Sequence, residues 1–419
     1  MEVKEKIKKA NETAITQMNA VNPVLIDIQL AIDVIPGMTN KTILHAGPPI
    51  TWDRMCNPMK GAIAGILVYE GLVNSYEEGY KLAKSGEIDF FPNHDFDTVG
   101  PMTGITASHQ PVFILEDSQS KRKSYCTLNE GRGKVLRFGG WDSEVLKRLY
   151  WMKETLSPIL QKGIKHSKGI DIKRIISESL HMGDEGHNRN RSGSYLFLSE
   201  ITPHIIETEP DKDRIKSVFN FIKENADIFH LNLSMPHSKL IADAARDIEY
   251  CSLVVALARN GTDTGIQISA LGREWFAAPA PSVDGLYFAG YNPEDACPDL
   301  GDSTISETIG IGGFCMASAP AIVNFVGSSS AEAIHRTELM YEITAGTNPA
   351  FTIPSLDFRG VPVGIDIRKV VESNQSPLIN TGIAHKDAGI GQIGAGLTEA
   401  PMEIFIESLK AFATKYNIT

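Results

Sequence analysis

The chain is poor in cysteine, and it contains no segment typical of an export signal or a membrane span. Its five cysteines are widely spaced, odd in number and form no C-x-x-C pair, a usage typical of a reducing compartment. The first residues are charged and no apolar stretch follows them, so we predict no signal peptide. The longest uncharged run, 308–331, is interrupted by glycines, a proline and a tract of three consecutive serines, which predicts a buried glycine-rich loop and helix. These absences predict a cytoplasmic protein that does not cross a membrane.

Positive charge is also scarce in this sequence. The chain has 40 Lys and Arg against 51 Asp and Glu, which gives a net charge of −11. The acidity is concentrated in residues 261–419, which contain 18 acidic and 8 basic residues. The longest basic tract, 121–123, is too short to neutralise a phosphate backbone. Nucleic acid is therefore not an expected partner.

The length predicts two or three domains, and the first is an N-terminal α/β domain at 1–141. Apolar residues at helical spacing predict a helix over 61–86, within which Ser75 and Glu78 match a capping box. Short runs of β-forming residues between turn signals follow this helix. They predict strands at 88–91, 112–115, 124–128 and 135–138.

A mainly helical section is predicted for 142–235, because Asp142 and Asp171 each precede a helical pattern and can cap it. The remainder, 236–419, is predicted to be a glycine-rich α/β domain. Its predicted elements are a helix over 239–259, strands at 265–269 and 361–367, and a helix over 401–416. This order of strands, helices and strands indicates an α/β or α+β fold with mixed sheets and a helical middle section in a multi-domain chain.

The densest group of polar side chains lies at 181–191, at the end of a predicted helix. Two imidazoles, two carboxylates, two amides and two guanidinium groups there can supply a general base, metal ligands and anion contacts. We predict catalytic roles for His181, Asp184, Glu185, His187, Asn188 and Arg189, and a binding role for Asn190. The spacing is not H-E-x-x-H, and a solvated helix end is the alternative interpretation.

A second group, at 127–140, combines glycines with basic residues. Gly131 and Gly133 allow backbone N–H groups to converge, and nearby cations suit a phosphate or carboxylate. The predicted anion-binding or substrate-binding residues are Asn129, Arg132, Lys134 and Arg137. The segment is not a Walker A loop, and a β-hairpin with solvated charges is the alternative.

A third polar segment, 93–104, follows a predicted strand, and such loops often line ligand sites. We include His94, Gly100 and Met102 among the candidate substrate-binding residues. Asx-rich turns before Gly-Pro are also common for local reasons, so a purely structural turn stays open. Two glycine-rich stretches, 260–265 and 300–313, could wrap an anion or form tight packing turns.

Four motifs occur in a fixed order along the chain. They are HAGPPI at 45–50, VGPM at 99–102, YCTLNEG with KVLRFG at 125–139, and LHMGDE with HNRN at 180–190. Together they resemble the YlbE/YahG-like family, which includes AllG, a subunit of oxamate carbamoyltransferase. The resemblance extends over residues 15–415.

The resemblance implies a partner-dependent enzyme of allantoin degradation, a branch of purine catabolism. With FdrA-like (AllF) and AllH-like subunits, it would interconvert oxalurate plus phosphate with oxamate plus carbamoyl phosphate. Such a reaction needs cations for phosphate, donors for an oxyanion and a base. The carbamoyl phosphate signature Ser-x-Arg-Thr-Arg is absent, so the phosphate is held by another arrangement or by the partners.

Two alternatives remain open at the level of sequence. The chain could be a stand-alone enzyme acting on a small acid or amide with a divalent metal ion as its cofactor, on the basis of the histidines and carboxylates at 181–187. It could also be a non-catalytic scaffold subunit that binds a partner chain through its glycine-rich C-terminal part. A homo-oligomer is compatible with each of these hypotheses.

Overall fold

The computed structural model describes residues 2–322 and 329–418, and it is an α+β structure with several small sheets. The strands are β1 Pro23–Leu30, β2 Thr42–His45, β3 Asp89–Pro92, β4 Pro111–Asp117, β5 Lys123–Thr127, β6 Ile170–Asp171, β7 Val254–Asn260, β8 Asp263–Ile268, β9 Phe276–Pro279, β10 Asp284–Tyr287, β11 Leu300–Gly301, β12 Thr344–Ile353, β13 Arg359–Ile365, β14 Leu378–Ala384 and β15 Gln392–Glu399. The α-helices are Val3–Ala20, Ala31–Val34, Asn57–Tyr69, Tyr76–Lys84, Ser143–Trp151, Ser157–Ser167, Ile172–His181, Arg191–Thr208, Lys212–Glu224, Ala226–Phe229, Leu231–Asp243, Ile305–Thr308, Ser330–Glu342, Ile367–Ser373 and Met402–Tyr416. Mixed sheets and a helical middle section confirm the predicted fold class.

The strands pair mostly antiparallel. The N-terminal sheet has the order β5-β4-β1-β6, and two C-terminal sheets have the orders β11-β7-β8-β9 and β10-β15-β14. Two pairs complete the set, the antiparallel pair β12-β13 and the parallel pair β2-β3. Antiparallel sheets of this kind can present one face to a core of helices and the other to solvent or to a second layer.

The largest apolar core joins all parts of the chain. It extends from Ala10 in the first helix to Val363 in β13, and it includes the middle helices. Phe113 of β4 lies at its centre with no exposed surface and packs edge-on against Phe229 at 6.4 Å. The division at 141/142 and 235/236 remains a prediction, but one continuous core holds the three predicted parts together.

Several predicted elements are confirmed. Asp142 accepts the backbone N–H groups of Glu144 and Val145, and Asp171 accepts that of Arg174, so both cap the helices predicted after them. The strands predicted at 88–91, 112–115, 124–128, 265–269 and 361–367 correspond to β3, β4, β5, β8 and β13. The helix predicted over 401–416 corresponds to Met402–Tyr416.

Three predicted elements are wrong in type or extent. The helix predicted over 61–86 is two helices, because Gly71 has a positive φ of 72° and Ser75 starts a new helix by accepting the N–H of Glu78. The helix predicted over 239–259 ends at Asp243 and is followed by β7, whose residues are all buried. A fully buried strand has no alternation and cannot be told from a buried helix by its pattern.

The strand predicted at 135–138 is also wrong, since Leu136–Phe138 form a single 3-10 turn. The carboxylate of Glu130 accepts the backbone N–H groups of Leu136 and Arg137 at 2.6 and 3.1 Å, which closes the segment into a turn. Gly139 then takes a positive φ of 76°, a conformation that favours glycine. This local closure brings Arg137 to the cavity described below.

The uncharged run is buried over 308–319, whereas residues 320–321 and 329–331 are exposed. Residues 312–318 form a 3-10 segment with no exposed side chain, and a helix begins at Ser330. Residues 323–328 of the predicted loop and helix lie outside the described residues. Among the described helices, none combines the length and the apolar character needed to cross a bilayer.

Candidate active site

Loops that are distant in the sequence meet around one cavity of about 640 Å³. The segments at 101–102, 129–138 and 187–191 supply one side of it, and the β14–β15 hairpin supplies another. The residues that line it are Pro101, Met102, Asn129, Arg132, Gly133, Arg137, Phe138, His187, Asn188, Arg189, Arg191, Asp227, Ile228, Leu231, Phe288, Ser303, Ala321, Ile322, Gly382, Ile390, Gly391 and Gln392. This volume suits a small-molecule reactant pair.

Four guanidinium groups line the cavity, and two of them are already paired. Arg132 and Arg191 both contact the carboxylate of Asp227. One carboxylate shared by two arginines leaves a net positive charge at this part of the wall. The other two, Arg137 and Arg189, have N–H groups that bind no other part of the described chain.

Arg137 is fixed in place by its backbone and by one of its two terminal nitrogens. Its Nη2 donates to the carbonyl of Gly131 at 2.7 Å, and its backbone carbonyl accepts from the N–H and hydroxyl of Thr103. Its Nη1 is buried and, within 2–322 and 329–418, has no hydrogen-bond partner. A buried guanidinium N–H without a partner costs free energy unless a ligand or water accepts it. Nη1 is therefore a buried donor whose hydrogen bond remains to be made.

Arg189 is the second cation with free donors. Its Nε lies 3.7 Å from the carboxylate of Asp184, which is too long for a hydrogen bond. Its backbone N–H donates to the carboxylate of Glu185 at 2.6 Å. The backbone is thus anchored while the guanidinium group remains available to the cavity.

His187 forms a buried pair with a carboxylate. Its Nδ1 lies 2.8 Å from Oε1 of Glu307, and both side chains are almost completely buried. The same Oε1 accepts the backbone N–H of Gly313 at 2.9 Å, so the carboxylate is itself held. A carboxylate on Nδ1 leaves Nε2 to take or give a proton, which is the arrangement of a general base with its orienting group.

The loop that carries His187 has two further buried carboxyl groups. Burial raises the pKa of Glu185 to about 8, and the charge of Glu307 raises it too. Burial also raises the pKa of Asp184 to about 6. Backbone groups of the 312–318 segment bind this loop, since Gly312 donates to the carbonyl of Glu185 at 2.6 Å. The carboxyls therefore hold the loop and do not face the cavity.

Three asparagines were candidate donors, and their amides are used differently. Asn129 donates to the carbonyl of Ile228 and to the side chain of Asn232, so both of its N–H bonds are occupied. Asn190 is buried, lies behind the cavity wall and donates to the carbonyl of His187. Asn188 lines the cavity and donates one N–H to Asn380, which leaves its second N–H for a ligand.

The remaining candidate residues lie away from the cavity wall. His181 is exposed and contacts the hydroxyl of Thr352 at 2.7 Å, and Lys134 pairs with the capping carboxylate of Asp142 at 2.9 Å. Their predicted roles remain predictions, and the structure places both side chains outside the lining residues.

His94 and Gly100 belong to a buried network centred on Asp302. The Asp302 carboxylate accepts the backbone N–H groups of Gly47 and Gly100 at 2.8 and 3.0 Å and the amide of Asn93 at 2.9 Å. His94 Nε2 lies 3.7 Å from the same carboxylate. Burial raises the pKa of Asp302 to about 7. This network fixes the loop whose next residues, 101–102, reach the cavity.

Some residues of the site carry no strong sequence signal. Glu307 lies in an almost uncharged stretch, 120 positions from the histidine that it contacts. Asp227 is one acidic residue among many on amphipathic helices. Gln392 lines the cavity from a segment without any motif, whereas Ser303 belongs to the glycine-rich stretch 300–313 named in the sequence analysis. Only the acidity of Glu307 inside an apolar, glycine-rich run could have marked it as unusual.

A metal site does not emerge from the structure. In the described part of the chain, no group of three or more His, Cys, Asp or Glu side chains is arranged to hold a metal ion. Glu185, His187 and Glu307 are instead used in hydrogen bonds to the backbone and to one another.

Comparisons with known proteins place the chain in a family. The family model "Oxamate carbamoyltransferase subunit AllG" matches residues 88–303. The chain is 45% identical to YahG of Escherichia coli over 99% of this chain and 88% of that protein. It is 42% identical to the oxamate carbamoyltransferase subunit AllG of Escherichia coli over 98% of this chain and 99% of that protein.

One solved structure matches the complete fold. A conserved protein of unknown function from Enterococcus faecalis superposes with a TM-score of 0.97 at 46% identity, covering 99% of both chains. The family model covers more than half of the sequence, and both curated relatives match along nearly all of it. The chain therefore belongs to the protein family that contains AllG and YahG.

Proposed function

We propose that this chain is a subunit of an oxamate carbamoyltransferase-like complex. In this proposal it interconverts oxalurate plus phosphate with oxamate plus carbamoyl phosphate during allantoin degradation in the cytoplasm. The observation that carries the proposal is the position of His187 and of the free donors of Arg137 and Arg189 around one cavity. The relationship to AllG supports the reaction class.

The charges of the cavity fit these reactants. Phosphate and the carboxylate of oxalurate are both anions, and each requires a cation when it leaves water. Arg137 and Arg189 offer unpaired N–H groups, while Asp227 balances part of the charge of Arg132 and Arg191. The cavity can therefore accept two anionic groups with the existing guanidinium groups.

The proposed reaction also requires one proton transfer. A phosphate oxygen attacks the terminal carbamoyl carbon of oxalurate while Nε2 of His187 takes the phosphate proton, and a tetrahedral oxyanion forms. The C–N bond then breaks, and protonated His187 gives its Nε2 proton to the departing oxamate nitrogen. In the reverse direction Nε2 accepts this proton, and the Glu307 carboxylate stabilises the imidazolium. The second amide N–H of Asn188 is the proposed oxyanion donor.

We further propose that AllF-like and AllH-like subunits cover the cavity mouth. Phe288 and Ile390 line the cavity, yet each is 44% exposed. Phe288 directly follows β10, which in the described residues pairs only with β15 and leaves its other edge free. Exposed apolar side chains beside a free strand edge are typical of a protein contact surface.

The test is an activity assay of the chain co-expressed with its AllF-like and AllH-like partners. Oxalurate and phosphate are supplied, and the carbamoyl phosphate formed is measured. We expect Arg137→Gln to lose activity, while the melting temperature falls only by what the lost hydrogen bond to Gly131 contributes. Arg174→Gln is the matched control, because Arg174 pairs with Glu178 and Glu200 on an exposed helix surface.

Two outcomes would favour the alternatives. Activity of the chain without any partner would support a stand-alone enzyme. Full activity of an assembled complex that carries His187→Ala would contradict the proposed role of this cavity and support a scaffold subunit. No carbamoyl phosphate from any mixture would refute the proposed reaction.

A further inference from the structure

Two cysteines that are 241 positions apart in the sequence face the same glycine. A methyl group built on Gly261 would lie 2.8 Å from Sγ of Cys56 and 3.1 Å from Sγ of Cys297. The two sulfur atoms are therefore no further apart than the sum of these distances. Gly261 has a positive φ of 77° and no side chain, so nothing separates the thiols at this point.

The two thiols are not bonded to each other, and each points towards the backbone of the same turn. Cys56 Sγ lies 3.5 Å from the carbonyl oxygen of Asn260, and Cys297 Sγ lies 4.0 Å from that of Gly261. A disulfide needs an S–S distance of about 2 Å and Cβ atoms about 3.5–4.5 Å apart. Formation of the bond therefore requires a movement that brings the two sulfur atoms from their present separation into bonding distance.

The two cysteines differ in access and in reactivity. Cys56 is half-buried, between the buried Met55 and the exposed Asn57, and immediately precedes the helix Asn57–Tyr69. The Cys297 thiol and N–H groups of the first helical turn lower the pKa of Cys56. Cys297 is buried and its pKa is raised. A more acidic, accessible thiol beside a buried one is the arrangement of an attacking and a resolving cysteine.

We propose that Cys56 and Cys297 form a dithiol site that hydroperoxides oxidise to a reversible disulfide. The Cys56 thiolate attacks the peroxide O–O bond, which gives a sulfenic acid and releases hydroxide or alkoxide. The Cys297 thiolate then attacks this sulfur, the S–O bond breaks, and the departing oxygen leaves as water. Two thiols thus lose two electrons and two protons, and hydrogen peroxide becomes two waters.

The disulfide would connect two structural units that bear on the cavity. Cys56 begins the helix that contacts the turn at 136–138, and Cys297 precedes Asp299. Asp299 binds the buried Arg259, and Arg259 also donates to Thr381, the neighbour of cavity residue Gly382. Oxidation would therefore fix the distance between the helix and the strand β14 that lines the site.

The test uses the folded full-length chain and hydrogen peroxide as the probe. After treatment, free thiols are blocked without reduction, the chain is digested, and peptides are analysed by mass spectrometry. We expect one cross-linked peptide pair joining Cys56 to Cys297, loss of two of the five free thiols, and recovery of both with dithiothreitol. The matched control Cys251→Ser should form the same cross-link, because Cys251 is fully buried elsewhere.

The substitution Cys56→Ser should abolish the cross-link and leave Cys297 reduced, because the buried thiol does not meet peroxide first. Absence of the linked peptide from the folded wild-type chain would overturn the proposal. Accumulation of Cys56 sulfinic acid with a reduced Cys297 would overturn it equally. These outcomes do not depend on carbamoyl transfer, so this site and the proposed reaction can fail separately.

Discussion

Replacing Glu185 with glutamine should change how the stability of the protein depends on pH. The Glu185 side chain is fully buried, and burial raises its pKa from 4.5 to about 8. Its Oε1 accepts the backbone N–H groups of Arg189 and His187 at 2.6 and 3.2 Å, whereas Oε2 has no partner in the described chain. Glutamine keeps the Oε1 acceptor and the shape of the side chain but cannot ionise.

The sign of the effect follows from proton binding. Between pH 4.5 and about 8, the folded chain keeps the Glu185 proton while the unfolded chain releases it. The free energy of unfolding therefore falls as pH rises, by about 1.4 kcal/mol per pH unit for this group. The full loss is at most about 5 kcal/mol, and it is complete above the folded pKa. Relaxation around the charge reduces this value.

Urea unfolding at pH 6, 7 and 8 measures the difference. We expect the wild-type chain to lose stability relative to Glu185→Gln by about 1 kcal/mol per pH unit across this range. Glu12→Gln is the matched control, since Glu12 is an exposed residue of the first helix. Wild-type and Glu185→Gln curves that run parallel would refute the assignment of a protonated, buried Glu185.

Further substitutions test the site, one helix cap and the core. His187→Ala should lower the rate of carbamoyl transfer roughly 100-fold. Glu307→Gln should lower it less, because the amide oxygen still accepts from Nδ1 although it carries no charge. Equal losses of rate in the two variants would contradict the proposed role of Glu307. Asp142→Ala should lower the free energy of unfolding by about 1 kcal/mol. If helix capping is the cause, Asp142→Asn should keep most of the wild-type stability. Phe113→Ala should cost about 3–5 kcal/mol in urea unfolding, and a loss below 1 kcal/mol would mean that the core closes around the missing ring.

Local signals in the sequence were sufficient for much of the fold. The caps at Asp142 and Asp171 and the strands at 112–115 and 124–128 are recognisable because their causes lie within a few residues. The turn at 136–138 was not predictable in this way. It depends on the Glu130 carboxylate, which turns apolar residues of strand-like character into a closed loop.

The sequence indicated which loops carry candidate site residues, but not that these loops meet around one cavity. The polar segments at 129–137 and 187–189 stand out because they combine cations, amides and glycines. Their convergence on one cavity depends on contacts between distant parts of the chain, which no local pattern encodes. Glu307 illustrates this limit, because its significance comes from its contact with His187.

The Asp302 network has a consequence for protein synthesis. The carboxylate of Asp302 holds the backbone at Gly47 and Gly100, which lie 255 and 202 positions earlier in the chain. At translation rates of about 5–20 residues per second, Asp302 is synthesised roughly 10–50 s after these two glycines. During that interval the loop leading to Met102 lacks the hydrogen bond from Gly100 to the Asp302 carboxylate. The cavity of the nascent chain therefore lacks this anchor until the ribosome has passed residue 302, and its wall is complete only after residue 392 has been made.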